Sequence, residues 1–397
     1  MNDQPQPTTR VPVTPVMDAN MPTGLDSVQL RSALEQVRQA GVPGVYAAVR
    51  AGEQTWQGAA GVADIETGQP VSPDMHHRVG SVTKTFTAAA VLQQVERGSI
   101  RLDRPIADYL PRLVPGDRGN EITVRMLLNH TSGLAEYLPH AFPSLRAFPT
   151  LANLSPESLD HNRNRRFDPI ELIEMGVRAP ATGSPGATPG VYSNTNYLLL
   201  GELLDTVTGE SAETYITHHV IEPAGLANTR FPRDSVIDGP HSRSYEAAYG
   251  LLDPPRDYSV YDMSWVRTAA ALLSTMEDLN SFYRSLFDGE IVHPDSLAQM
   301  QRTVPVIAQD GARITYGLGL HRVEMPGCEP CWGHDGTVWG AFTLSLIAPD
   351  SQRQLSVATN LVRWNALDST GKPRQHPIDD ALASLRMRAM CGKRADG

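Results

Sequence analysis

The sequence predicts an α/β protein: an antiparallel sheet built from the N- and C-terminal segments and flanked by helices, with a mostly helical inserted domain. Three observations predict it. Strand-like runs sit near both ends of the chain, helical periodicity dominates the middle, and 397 residues with 41% hydrophobic and 20% charged content suffice to bury a large core. The expected division is a flexible tail over 1–24, an α/β domain from 25–80 and 312–397, and a mostly helical domain over 81–311. An active site is expected in the cleft between the two domains.

The tail carries Pro5, Pro7, Pro12, Pro15 and Pro22 among polar residues, without the apolar run of a signal-peptide core or membrane span. The expected compartment is therefore the cytoplasm, or the exterior if a leader was removed before residue 1. Residues 29–40 have helical periodicity and stop at Gly41, and Val45–Arg50 and Thr55–Ala60 follow as a strand pair. From Thr83 to Arg97 apolar residues are almost continuous before Gly98, which reads as a buried helix with a glycine stop. Residues 139–168, rich in Pro, Asn and Arg and without periodicity, read as a long loop. Asp168, Pro169 and Glu171 then open a helix as cap, first-turn proline and capping-box partner. Another helix runs from Asn194 to Gly209. Ala341–Ala348 and Gln354–Asn360 read as strands joined across Pro349-Asp350, and Ile378–Met390 as a closing amphipathic helix.

A formal net charge of −10 disfavours nucleic acid and anionic membrane surfaces as partners, because no excess of cations exists to neutralise phosphates. Of the 34 basic residues only Lys84, Lys372 and Lys393 are lysine. In a chain that uses Arg almost everywhere, a retained lysine points to what Arg cannot do, which is to lose its proton.

Ser81-Val82-Thr83-Lys84 places a hydroxyl and an amine three residues apart at the mouth of the buried helix, on one face. A neutral lysine there can take the serine proton, and the helix start offers backbone N–H groups to an oxyanion. The competing reading of Ser81 is a helix cap. Ser369-Thr370-Gly371-Lys372 repeats the spacing but lies in a polar stretch with no apolar helix after it, and reads as a surface loop. Tyr192-Ser193-Asn194 follows a Pro/Gly-rich loop and precedes an apolar helix, so its phenol can shuttle a proton while Asn194 orients substrate or Lys84; the bland alternative is a half-buried tyrosine beside a capping Asn. Gly333-His334-Asp335-Gly336-Thr337 precedes a strand. His334 would give cationic or hydrogen-bonding support and the Thr337 N–H a second oxyanion donor; a glycine-rich turn with an exposed His is the alternative.

The order Ser-x-x-Lys, Tyr-x-Asn, His-x-Gly resembles the penicillin-recognising serine enzymes, the group of class C β-lactamases, family VIII esterases and the secreted Streptomyces-type D-alanyl-D-alanine carboxypeptidase. The likeness spans roughly Leu25 to Lys393 through RVGSVTKTFTAAAVLQQVERG, ITVRMLLNHTSGL, PGVYSNTNYLLLGELLDTVTG, YGLGL and GHDGTVWG. The resemblance implies a β-lactamase/transpeptidase-like fold, with Ser81 as nucleophile, Lys84 as its base, Tyr192 as proton shuttle, Asn194 orienting substrate, and His334 in the third motif. It implies an oxyanion hole from the Ser81 and Thr337 amides, and substrate contacts from Phe142, Trp265, His321, Asp335, Gly336 and Trp339. No metal or organic cofactor is implied. The partners would be a small-molecule acyl donor and a water or amine acceptor.

Peptidases of this kind read a substrate carboxylate with an arginine after the YGLGL stretch and a threonine after the third-motif His; this chain has His321 and Asp335 instead. An acid there repels a carboxylate, His321 is at best a partial cation, and Arg322, if the stretch is β, faces the other way. The expectation is therefore hydrolysis or aminolysis of a neutral ester or amide. Alternatives are a D-alanyl-D-alanine carboxypeptidase, a β-lactamase, and a slowly deacylating penicillin-binding sensor. Cys328, Cys331, His334 and distant Cys391 have the types of a zinc set, but His334 is already claimed by the third motif. By the resemblance, Cys328 or Cys331 pairs with Cys391; three free thiols are the other reading.

Overall fold

A computed structural model describes residues 24–145, 155–248, 252–363 and 374–391. Residues 1–23 of the expected tail, and Ser369 with its loop, lie outside the described residues. A nine-stranded sheet organises the chain, in the order Gln54–Gly61, Gly44–Ala51, Arg353–Thr359, Ala341–Ile347, Cys331–Val338, His321–Val323, Arg313–Tyr316, Val304–Ile307, Gly190–Val191. Neighbours are antiparallel except the last pair, where Gly190–Val191 runs parallel to Val304–Ile307. The N-terminal strand Gly44–Ala51 pairs with Arg353–Thr359 from Val45↔Thr359 to Ala51↔Arg353, so the two ends of the chain close one sheet. Both strands are buried on nearly every residue because each has layers on both faces, which is why Gly44–Ala51 reads as a nearly continuous apolar run rather than an alternation.

One face is covered by the terminal helices Ser27–Gln39 and Pro377–Cys391 through Leu30, Leu34, Val37, Leu385 and Ala389. Asp26 caps the first of these by accepting from the Val28 and Gln29 amides. Cys328, just before the strand Cys331–Val338, is disulfide-bonded to Cys391 at the end of the last helix, and Cys331 is a buried free thiol. That bond takes two sulfurs out of the zinc set.

The other face carries the helical layers. The helix Thr83–Glu96 is apolar all round and runs through the core, packed on Asn194–Thr208. Its polar side chains are satisfied internally: Thr85 Oγ1 donates to the Gly319 carbonyl at 2.7 Å and Thr87 Oγ1 to that of Thr268 at 2.8 Å. The 81–311 segment is not purely helical, since Gly190–Val191 and Val304–Ile307 extend the sheet by two strands. The 139–168 loop is likewise interrupted, by helix Glu157–His161. Asp168 does cap the helix Pro169–Arg178 through the Ile170 amide, but Glu171 pairs with Arg165 and leaves the capping box unmade. Among the described residues no helix is long and apolar enough to cross a membrane.

Candidate active site

Ser81 lies in a tight turn, Gly80–Val82, wedged between the strand Cys331–Val338 and the start of the buried helix. Two glycines allow the wedge. A Cβ on Gly80, whose φ is +56°, would lie 2.5 Å from the Thr337 nitrogen, and one on Gly336 would lie 2.8 Å from the Ser81 nitrogen. The backbones bearing the two expected oxyanion donors are thus pressed together. Ser81 does not cap the helix; no side chain does.

Lys84, one turn on, is fully buried. Its Nζ donates to Ser81 Oγ at 2.9 Å, Asn194 Oδ1 at 2.7 Å and the Ala269 carbonyl at 3.0 Å, and lies 4.8 Å from the Tyr192 ring centre. Burial pulls the Lys84 ammonium from 10.5 down to about 7, against the opposing pull of the Glu136 and Asp335 carboxylates. A base of that strength 2.9 Å from a hydroxyl can accept its proton near neutrality.

Tyr192 sits between the strand Gly190–Val191 and the helix Asn194–Thr208, with its side chain beside that of Ser81. Burial drives its hydroxyl well above the ordinary tyrosine range, so it is protonated and able to donate. Asn194 is the first residue of its helix but not its cap; its side chain bridges Lys84 and Glu136, donating from Nδ2 to Glu136 Oε2 at 3.0 Å.

Of the two kinds of support expected of His334, the geometry gives hydrogen bonding rather than a cation. Its Nδ1 faces the Asp335 carbonyl, which can only accept, so Nδ1 carries the proton and Nε2 accepts from the Tyr316 hydroxyl at 3.0 Å. Burial, with His321 and Lys84 nearby, holds the ring neutral. His334 is buried rather than exposed. His321 is also held neutral by burial, with Nδ1 3.5 Å from Asp335 Oδ1, while Arg322 on the opposite face pairs with Glu324. His321, His334 and Asp335 place ligand atoms within 4.8 Å of one another, but both nitrogens of His334 are engaged as it stands.

Phe142, Trp265 and Trp339 come together as one aromatic cluster. Trp265 and Trp339 stack at 5.0 Å between ring centres, and Phe142 meets them edge-on at 5.5 and 5.7 Å. None of the three is more than 9% exposed, so they form a buried wall with Trp339 its most accessible member.

Two residues at the centre were not read from the sequence as site residues. Glu136 is a largely enclosed acid that accepts from the Asn194 amide at 2.7 Å, from Asn194 Nδ2 and from Gln309 Nε2, and burial pushes its carboxyl up. His130, at φ +60°, accepts at Nδ1 from the Ser193 amide at 3.2 Å and Asn196 Nδ2 at 3.1 Å, and its ring lies 4.1 Å from that of Tyr192. Both lie in the non-periodic stretch NHTSGLAEY, where unusually dense polarity beside an apolar segment was the available signal.

The family model for Beta-lactamase matches residues 30–379. The chain belongs to this family. Its relatives include an amidohydrolase, an esterase and a putative penicillin-binding protein. The chain is 31% identical to a D-stereospecific amidohydrolase from Streptomyces sp., at a TM-score of 0.78 covering 93% of this chain and 99% of that one. It is 32% identical over 216 residues to esterase EstB of Burkholderia gladioli, covering 54% of this chain and 52% of EstB. It is 26% identical to the putative penicillin-binding protein PbpX of Bacillus subtilis, over 72% of this chain and 63% of PbpX. The chain thus spans less than two thirds of PbpX and about half of EstB. The mixed α/β fold with its large antiparallel sheet is the family's fold.

Proposed function

We propose that the protein is a serine hydrolase or transacylase that forms an acyl-enzyme at Ser81 and acts on a neutral amide or ester, with an amide of a D-configured acyl group the first class to test. The observation that carries this reading is the buried Lys84 amine, 2.9 Å from Ser81 Oγ and brought to about 7. In the proposed cycle neutral Lys84 takes the Ser81 proton as Oγ bonds to the substrate carbonyl carbon. The oxyanion accepts from the Ser81 and Thr337 N–H groups, and Asn194 keeps Lys84 in line. Tyr192 donates its proton to the departing nitrogen or oxygen as the carbonyl–leaving-group bond breaks, and regains it from Lys84. Water or an amine then attacks the ester, with the proton transfers reversed.

The amide preference is supported by the amidohydrolase relative, which is matched over nearly its whole length. The preference for neutral over free-carboxylate substrates is supported by Asp335 beside neutral His321, where a carboxylate meets an acid and no fixed cation. The test is intact-protein mass spectrometry with p-nitrophenyl esters, D-amino acid amides, D-Ala-D-Ala peptides and penicillins. An acyl adduct on Ser81 that turns over fastest from the amides or esters is expected. Turnover confined to the free-carboxylate peptides would make the protein a carboxypeptidase instead, and a stable penicillin adduct without turnover of any other compound would make it a sensor.

A further inference from the structure

We propose that the leaving-group side of this cleft is built to receive a cation: the preferred amide, ester or acceptor amine carries a positive charge a few atoms beyond the scissile bond, held by the Asp335 carboxylate. This rests on the serine-hydrolase reading above and names the substrate class of that same site.

The strand Cys331–Val338 supplies the geometry. Its burial alternates, with His334, Gly336 and Val338 inward and Asp335 and Thr337 on the more open face, so Asp335 and Thr337 share a side. The residue between them, Gly336, abuts the Ser81 turn, which puts Asp335 at the border of the nucleophile. The strand gives the site two unlike ends. Two residues beyond Thr337 lies Trp339, joined to Trp265 and Phe142 in an apolar wall suited to an acyl side chain. Two residues before Thr337 lies Asp335, with His321 and His334 beside it. A carbonyl held at the Thr337 N–H therefore sends one half of the substrate toward aromatic rings and the other toward a carboxylate. Tyr192, the proposed proton donor to the leaving group, has its ring 6.4 Å from that of His334, whose Nδ1 lies 3.8 Å from Asp335 Oδ1.

The carboxylate lacks a partner of matching charge. Its side chain keeps 49% exposure, and among the described residues no Lys or Arg nitrogen comes within 4.0 Å of it. The neighbours at 3.5 and 3.8 Å are histidine nitrogens. Both rings are held neutral by burial, and the Nδ1 proton of His334 is committed to the Asp335 carbonyl. The surface ion pairs of this chain, by contrast, give acids such as Asp103, Asp160 and Glu171 an arginine each. An ammonium group on the substrate would supply at Asp335 the charge that the fold withholds, beside buried neighbours that screen it less than bulk water does.

The experiment compares the choline ester with its neutral isostere, the 3,3-dimethylbutyl ester, using one acyl group, by kcat/KM. EDTA is present throughout, because the same three residues have the types of a metal set. The choline ester is expected to be favoured on the order of tenfold at low ionic strength, and the ratio to shrink as salt is raised. In Asp335→Asn the ratio should fall to about one. Because it is taken within each protein, a general loss of activity in the variant does not affect it; should the variant fail to fold, the salt dependence of the unmodified protein decides. A ratio at or below one, or one that salt and Asp335→Asn leave unchanged, overturns the inference while an acylated Ser81 keeps the hydrolase reading intact. If neither ester is turned over and Ser81 is never acylated, both fall.

Discussion

Lys84→Arg tests the chemistry at its base. The two side chains share charge and length class, and the chain uses arginine for 31 of its 34 basic residues, so on surface grounds the replacement is mild. At this position it is not. The Lys84 ammonium falls from 10.5 to about 7, which corresponds to about 5 kcal/mol of preference for the neutral amine. At neutral pH about half the molecules then hold a free base beside Ser81, against roughly one in a few thousand for lysine in water. A guanidinium with a pKa above ~12 has no such form at any working pH. Its planar fork must also fit a fully buried space whose three acceptors, Ser81 Oγ, Asn194 Oδ1 and the Ala269 carbonyl, are set for a point donor. We expect Lys84→Arg to lose on the order of a hundredfold or more in acylation rate, nearly as much as Lys84→Ala. In the unmodified protein kcat/KM should rise with pH through a limb near 7, since the protonated form is inactive and deprotonation supplies the base. Stopped-flow acylation by a chromogenic ester from pH 5 upward measures both. Acylation by the arginine variant within tenfold of normal, or a flat profile across neutrality, would show that Lys84 contributes only positive charge.

Three further outcomes follow from the same geometry. Ser81→Ala should abolish labelling by a fluorophosphonate while Ser369→Ala leaves it intact, read by mass spectrometry; the reverse pattern sinks the assignment of the nucleophile. Glu136→Gln keeps an acceptor for the Asn194 amide and Nδ2 but removes a charge that holds the Lys84 pKa up, so the acidic limb of kcat/KM should move to lower pH by up to about one unit, and an upward shift would contradict it. Cys391→Ser opens a cross-link spanning 63 residues, for which chain entropy gives about 4 kcal/mol; urea unfolding should show a loss of that order, and an unchanged midpoint would mean that the bond constrains little.

The fold was legible where one layer of packing dictates one pattern. The strand Gly44–Ala51 and the helix Thr83–Glu96 are buried over most of their length, and their runs of small and apolar residues said so. Gly98 and Gly209, at φ +77° and +76°, mark helix stops as glycines in the left-handed region. Gly190–Val191 was not legible because it is two residues long and its pairing with Val304–Ile307 is set by a distant strand, which no local period encodes. The site was legible through its motifs, yet the charge states within it were not. His334 could be a cation or a hydrogen-bonding group by its type, and is neutral because the fold buries it with His321 and Lys84 nearby. Glu136 escaped notice for the same reason: a lone acid in a loop gains meaning only once Asn194 and Lys84 are folded against it.

These enclosed groups bear on why the base has the strength it has. Burial unopposed by any acid would lower Lys84 further still, and each step down weakens the amine as a base. A lysine exposed to water has the opposite fault, being protonated almost always. The site works between these limits by placing Lys84 in the apolar helix and then setting two acids at unequal depth around it. Glu136 is inside, pushed upward by burial and tied to Asn194, which in turn fixes the Lys84 hydrogen bond, and its charge holds Lys84 up through space. Asp335 is at the rim, half exposed, and acts through space. Any ligand that neutralises Asp335 therefore also lets Lys84 fall further, which frees its amine. A cationic leaving group bound there would favour the neutral Lys84 that takes the Ser81 proton, and so assist the attack on its own ester or amide.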